Sequence, residues 1–443
     1  MKTKITLLIA LFFSLSFGFS QNEQECGTKL SLMAEAAKAK NYEAAYAPFK
    51  WLRENCPKYN LAIYQYGEKI LENFVETKED KKTYILELTE MWNDRVQYFP
   101  SKTEAGKVMV DACLLKYDNK EALGLSTQQL YDCFDNAYKT DKENFTSTKG
   151  LYLYFKLAVD LYDAGSMTAQ QLFDKYDDVA EKIEYEVEDN TNKLNKLLAK
   201  KDAGTALSKR EVKYEKYHGQ MIDAFGKVAD GIDSQLGKRA NCDNLIPLYT
   251  KNFDANKDNA EWLQRALNKM YQKECTDDPL FIKIVNRKYE LSPDADTAYY
   301  LYLKTGEERY LTESLNLQTD PFKKSKLVKK IALGLKKRGS FGKARQYFQE
   351  ALSLNPSDKT PHIYIASMYA SSANSCGDTT FNKQAVFWLA AQEASKAGSA
   401  GAKYAESYNA KAPSKSQIFN EGNQGQTIKI GCWIGRSVTV PSL

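Results

Sequence analysis

Residues 325–358 read SKLVKKIALGLKKRGSFGKARQYFQEALSLNPSD, and their pattern decides the fold. Val328, Ile331, Ala332 and Leu335 recur at intervals of three and four, the spacing that lines one face of a helix. Gly339 and Phe341 fill a turn, and Ala344, Phe348 and Ala351 resume the period in a second helix. Pro356 ends that helix, because proline lacks the N–H that the next helical bond needs. The stretch is expected to fold as an antiparallel helical hairpin.

The same period runs outward from it, from about residue 28 to 400. Leu30, Met33, Ala34 and Ala37 form one helical face, Asn41-Tyr42 breaks it, and Ala45, Phe49 and Leu52 resume it before Pro57. Further helices are expected over Leu61–Thr77 and Lys81–Tyr98, with Phe99-Pro100 as a stop. Ser126 and Gln129 have the spacing of a capping box, in which each residue's side chain satisfies the other's backbone N–H. Gly150–Asp163 and Thr168–Lys182 read as another pair, and the highly charged Lys182–Lys201 stretch follows. A break at Asp202–Thr205 and a long helix over Leu207–Leu236 complete a long helical hairpin. Its charged residues read first as a solvated face. The expected organisation is a signal peptide at 1–20, helical repeats at 21–165, the charged hairpin at 166–240, helical repeats at 241–400 and a tail at 401–443. Within the tail, Thr427–Ile434 and Ser437–Val440 are rich in β-branched residues and read as two short strands or one bent extended segment.

The window at 325–358 closely resembles a tetratricopeptide repeat, whose period is about 34 residues. Ala332, Ala344 and Ala351 are small where the two helices cross, and Ile331, Leu335 and Phe348 are large where packing between repeats must be filled. The N-terminal window and the window that follows match in part, through Tyr42, Ala45, Phe49 and Pro57 and through Ile365, Ala366 and Tyr369. The resemblance implies an all-α, tetratricopeptide-like superhelix that binds peptides or proteins in a groove lined by first helices. It places Lys326, Lys329, Leu333, Lys336 and Lys337 on the groove face. A family subset clamps a terminal carboxylate with lysine and asparagine. Lys329 fits the lysine slot, but Leu333 stands where asparagine is needed. An acidic peptide or partner surface is the ligand this implies; a plain solvated lysine face is the alternative.

The N-terminus reads as an export signal, with Lys2 and Lys4 ahead of apolar Ile5–Phe17 and small residues at Gly18 and Ser20. That apolar run is short for a membrane span, which needs roughly 20 residues. Removing Lys2 and Lys4 from the 62 basic side chains brings them close to the 57 acidic ones, so a nucleic-acid partner is not expected. All 8 cysteines lie beyond the signal, and an even count in an exported chain points to disulfides. Cys26 and Cys56 bracket one expected hairpin, Cys242 and Cys275 bracket another, Cys113 and Cys133 flank a third turn, and Cys376 and Cys432 remain. A zinc cluster is the alternative, but there is no Cys-x-x-Cys and the 2 histidines, His218 and His362, stand apart.

No Gly-x-Ser-x-Gly, His-Glu-x-x-His or phosphate loop is present, so no cofactor, metal or catalytic site is expected. The first functional expectation is an exported scaffold for protein–protein interaction, as a subunit of a cell-envelope, secretion or motility complex. It would sit in the periplasm, at the cell surface or outside, associated with an outer-membrane or envelope assembly but without a membrane span after signal cleavage. A stand-alone peptide-binding chaperone is a variant of that reading. The alternative is a carbohydrate-binding or carbohydrate-active protein on a helical scaffold, marked by a Trp-lined cleft with paired carboxylates.

Overall fold

The computed structural model describes residues 23–443, so the expected signal segment lies outside the described residues. Among these the chain is helical throughout, apart from one two-stranded sheet. Helices adjacent in sequence pack against one another as antiparallel pairs, the tetratricopeptide-like arrangement. Two compact units result. One holds the chain up to Ile183 together with Lys227–Leu236; the other holds Glu184–Gly226 and Gly237–Leu443.

In the first unit, a helix over residues 23–38 turns at Lys40, which adopts a φ of 59°, and Asn41 caps the next helix, Tyr42–Asn55. The side chain of Asn41 accepts a hydrogen bond from the Ala44 N–H, a donor the helix itself leaves unpaired. Cys26 and Cys56 stand at the open end of this hairpin and are joined. Helix Ala62–Thr77 packs on Tyr42–Asn55, with Gly67 against the Phe49 ring. A methyl group on Gly67 would come within 2.1 Å of a ring carbon, so only glycine permits that closeness. Lys81–Tyr98 closes the pair, and Met33, Phe49, Leu52, Ile70, Leu88 and Met91 form a continuous core. Ala105–Asp118 then pairs with Thr127–Thr140, whose start carries both halves of the Ser126/Gln129 capping box, and Cys113 is bridged to Cys133. Thr148–Asp163 follows and buries Leu151, Tyr154, Phe155 and Leu157.

The stretch read as a pair member followed by a charged segment is one continuous helix, Ala169–Asp202. No glycine or proline interrupts it near Lys182. It turns at Gly204, with a φ of 75°, into Lys209–Leu236. Across the turn Lys200 and Lys201 pair with Glu211 and Glu215 at 2.7 and 2.9 Å.

In the second unit Cys242–Asn256 and Ala260–Gln272 form a hairpin bridged by Cys242 and Cys275. Pro279–Leu291, Ala295–Thr305 and Glu308–Leu317 lead to the central pair, Pro321–Lys337 and Phe341–Leu354. Gly339, with a φ of 75°, makes the turn between them. Thr360–Ser371 and Thr380–Ser395 form the next pair, separated by the short helix Ala373–Cys376. The expected tail at 401–443 does not consist of strands alone. It forms two more helices, Ser399–Asn409 and Lys415–Glu421, before any strand. A Gly401 Cβ would fall 1.8 Å from the Ala394 carbonyl oxygen, and Ser414 and Gln417 supply another capping box. The extended segment is two strands, Thr427–Ile430 and Arg436–Thr439, paired antiparallel with Thr427 opposite Thr439. The turn between them includes Cys432 and Gly435, both in the left-handed region. Cys432 is bonded to Cys376, and Trp433 beside it lies between Phe341 and Tyr369 and donates to the Ser372 hydroxyl at 2.9 Å.

Candidate functional site

The residues of the repeat signature sit where a helical pair needs them. Ala332, Ala344, Phe348 and Ala351 are buried at the crossing of the central pair. Phe341 packs on Trp433, and Pro356 follows the end of the second helix. The first helix, Pro321–Lys337, buries Phe322, Ser325, Leu327, Val328, Ile331, Ala332 and Leu335, which turns its lysines outward.

Those lysines do not form one free positive face. Lys326 meets Glu184 at 2.6 Å and Lys323 approaches Glu188 at 3.8 Å, both acids on helix Ala169–Asp202, while the Asn195 amide of that helix donates to Asn355 at 3.1 Å. Part of the expected groove face is therefore covered by the chain's own hairpin. Lys329 is bonded to Asp358 at 2.5 Å. Burial works to raise the Asp358 carboxyl, but Lys329 and hydrogen bonds from Thr360 prevail and hold it below its usual range. Lys330 is drawn inward beneath Tyr271, Tyr299 and Tyr300 and bonds Asp296 at 3.2 Å; burial lowers its pKa against the pull of Asp296. Cation–π contact of this kind anchors the helix to its neighbours. What stays open is the C-terminal half: Leu333 is 37% exposed, Lys336 makes no ion pair among the described residues, and Lys337 is exposed with Glu274 3.8 Å away.

The two histidines have structural partners. His218 Nδ1 lies 2.8 Å from the Asn190 side chain, and His362 Nδ1 lies 2.7 Å from the buried Glu393. No group of three His, Cys, Asp or Glu side chains could hold a metal ion among the described residues, and no described helix is long and apolar enough to cross a membrane.

A polar concavity lies elsewhere, in the first unit, and the sequence reading missed it. A cavity of about 600 Å³ is lined by Glu68 of helix Ala62–Thr77, Trp92 and Arg95 of Lys81–Tyr98, Thr103 of the following loop, and Lys107 and Asp111 of Ala105–Asp118. Glu68 accepts from the Trp92 indole at 2.9 Å and meets Arg95 at 3.4 Å. Burial raises the Asp111 carboxyl above its usual range, and the charge of Glu68 adds to this against Lys107. The Arg95 Nε and the Thr103 hydroxyl are enclosed without a partner. Two signals in the sequence point here: Trp92 and Arg95 share a helix face, as do Lys107 and Asp111, and both pairs flank the Phe99-Pro100 stop. They went unread because four polar groups from separate helices have no common motif.

Comparison with protein-family models gives no match, and comparison with curated proteins gives none. Among solved structures the chain is similar to the human IFIT1 dimer with m7Gppp-AAAA, at 11% identity over 87% of this chain and 89% of that one, with a TM-score of 0.28. The human IFIT1 dimer with PPP-AAAA is similar at 10% identity over 88% and 94%, with a TM-score of 0.27. A likeness this loose carries no functional inference. The fold and its cross-links define the class on their own terms: a disulfide-stapled protein of tetratricopeptide-like helical pairs.

Proposed function

We propose that the chain is an exported helical-repeat scaffold whose partner is another protein, as a subunit of a cell-envelope, secretion or motility assembly. The observation that carries the binding part is the open C-terminal half of Pro321–Lys337. There exposed Leu333 stands beside Lys336 and Lys337, an apolar anchor within a cationic rim. Such a surface suits an acidic segment with an apolar residue at its centre. Export is supported by the disulfides, which pair all eight cysteines and persist only in oxidising compartments.

The ion pairs on the same helix favour exchange. Lys326 and Glu184 are both about half exposed, and pairs of that kind contribute roughly 0–1 kcal/mol. An acidic partner can thus replace Glu184 at little cost.

Binding to a polyglutamate probe tests this surface. Affinity should fall steeply between about 0.05 and 0.5 M salt, and Lys336→Glu with Lys337→Glu should abolish it. Lys329 is a poor choice for substitution, because its loss strands the half-buried Asp358. Probe binding unchanged in the double variant would rule the surface out.

A further inference from the structure

The cavity of the first unit has no part in that scaffold surface, yet it is built as a site. Its volume, about 600 Å³, lies within the range of small-molecule pockets, roughly 300–1,000 Å³. Thr103 is 9% exposed and its hydroxyl has no partner; the Nε of Arg95, another lining residue, is enclosed and also unpaired. A buried polar group left unpaired is unfavourable unless something in the cavity bonds it.

We propose that this cavity binds a neutral, polyhydroxylated ligand, a small saccharide. The distribution of charge selects that class. Glu68 is held between the Trp92 indole and Arg95, so the wall carries its opposite charges interleaved rather than in separate patches. Lys107 and Asp111, four residues apart on one helix, repeat the alternation, and Lys102 and Glu104 add one charge of each sign. A cation would meet Arg95 and Lys107, an anion would meet Glu68 and Asp111, and a zwitterion needs its two ends separated. A hydroxyl group is at once donor and acceptor. A ring bearing several of them can accept from the Arg95 Nε and the Thr103 hydroxyl while donating to Glu68 and Asp111. Trp92 supplies an apolar element of the wall. This reading takes up the carbohydrate alternative as binding, and it stands whether or not the lysine surface holds a protein.

The test uses the full exported chain and a panel of glucose, galactose, N-acetylglucosamine, maltose and cellobiose, each at up to about 0.1 M. Saturation-transfer NMR reads binding, and the Trp92 indole resonance, assigned through Trp92→Phe, reports its place. At least one sugar should bind and shift that resonance, with affinity nearly constant between about 0.05 and 0.5 M salt. Thr103→Val should weaken it by about tenfold. Asp111→Asn, which replaces a half-buried carboxylate with a neutral side chain, provides a second variant and should also weaken it. The proposal is overturned if no sugar binds, if both variants bind as the parent does, or if glycine or inorganic phosphate binds more tightly than every sugar.

Discussion

At the residue scale, the same kind of side chain carries opposite consequences in different places. Asp358 is half-buried, but Lys329 and Thr360 hold its carboxyl low. Glu393 is buried, yet Lys396 and His362 keep it below the usual range. A depressed carboxyl contributes stability that is full above its unfolded value, about 4, and is lost as pH falls through the folded value. Asp111 has the reverse sign, since burial and Glu68 raise it. Its contribution is most favourable at low pH and diminishes as pH rises from the ordinary carboxylate value toward the raised one. Urea midpoints measured from pH 3 to 7 should therefore separate two variants. Asp358→Asn should lower stability at pH 7 and flatten the acid limb, whereas Asp111→Asn should raise stability at pH 7. A drop at pH 7 on Asp111→Asn would contradict the environment described for it. Legibility follows the same division. Ala332, Ala344 and Phe348 could be read because their partners lie within the one window 325–358. Asp111 could not, because what perturbs it lies on another helix, at Glu68.

At the element scale, helices and their stops were legible wherever local chemistry dictates them. Ser126 with Gln129, Asp320 before Pro321, and Gly339 each act within one turn of chain, and the helices begin or end there. The C-terminal elements were harder. Ser399–Asn409 straddles the boundary of the stretch read as a tail, yet Gly401 is what lets it pack closely on Thr380–Ser395. The two strands are too short to stand alone in water. They are held from outside, by the Cys376–Cys432 bond, by Trp433 between Phe341 and Tyr369, and by Arg345, which donates to the Ile434 carbonyl at 2.7 Å. Replacing both cysteines, Cys376→Ser with Cys432→Ser, should cost about 2–4 kcal/mol and shift Trp433 fluorescence to the red. An unchanged emission maximum would mean that the aromatic contacts alone hold the sheet.

At the scale of the whole molecule, each unit is a set of helical hairpins, and the disulfides join neighbouring segments within a unit rather than linking one unit to the other. Each cross-link limits how far its segment can open, which suits the export proposed above. The functional surface was only partly legible. The sequence marks the lysines of Pro321–Lys337, but Glu184 and Glu188, more than a hundred residues away, decide which of them are free. The central claim is that the remaining surface holds a protein. Affinity purification of the chain from its source cells, run beside the Lys336→Glu, Lys337→Glu variant, tests it most directly. A protein retained in stoichiometric amount at low salt by the parent chain, and lost from the variant, is the expected result. The same protein recovered equally with both chains, or none with either, would contradict the account.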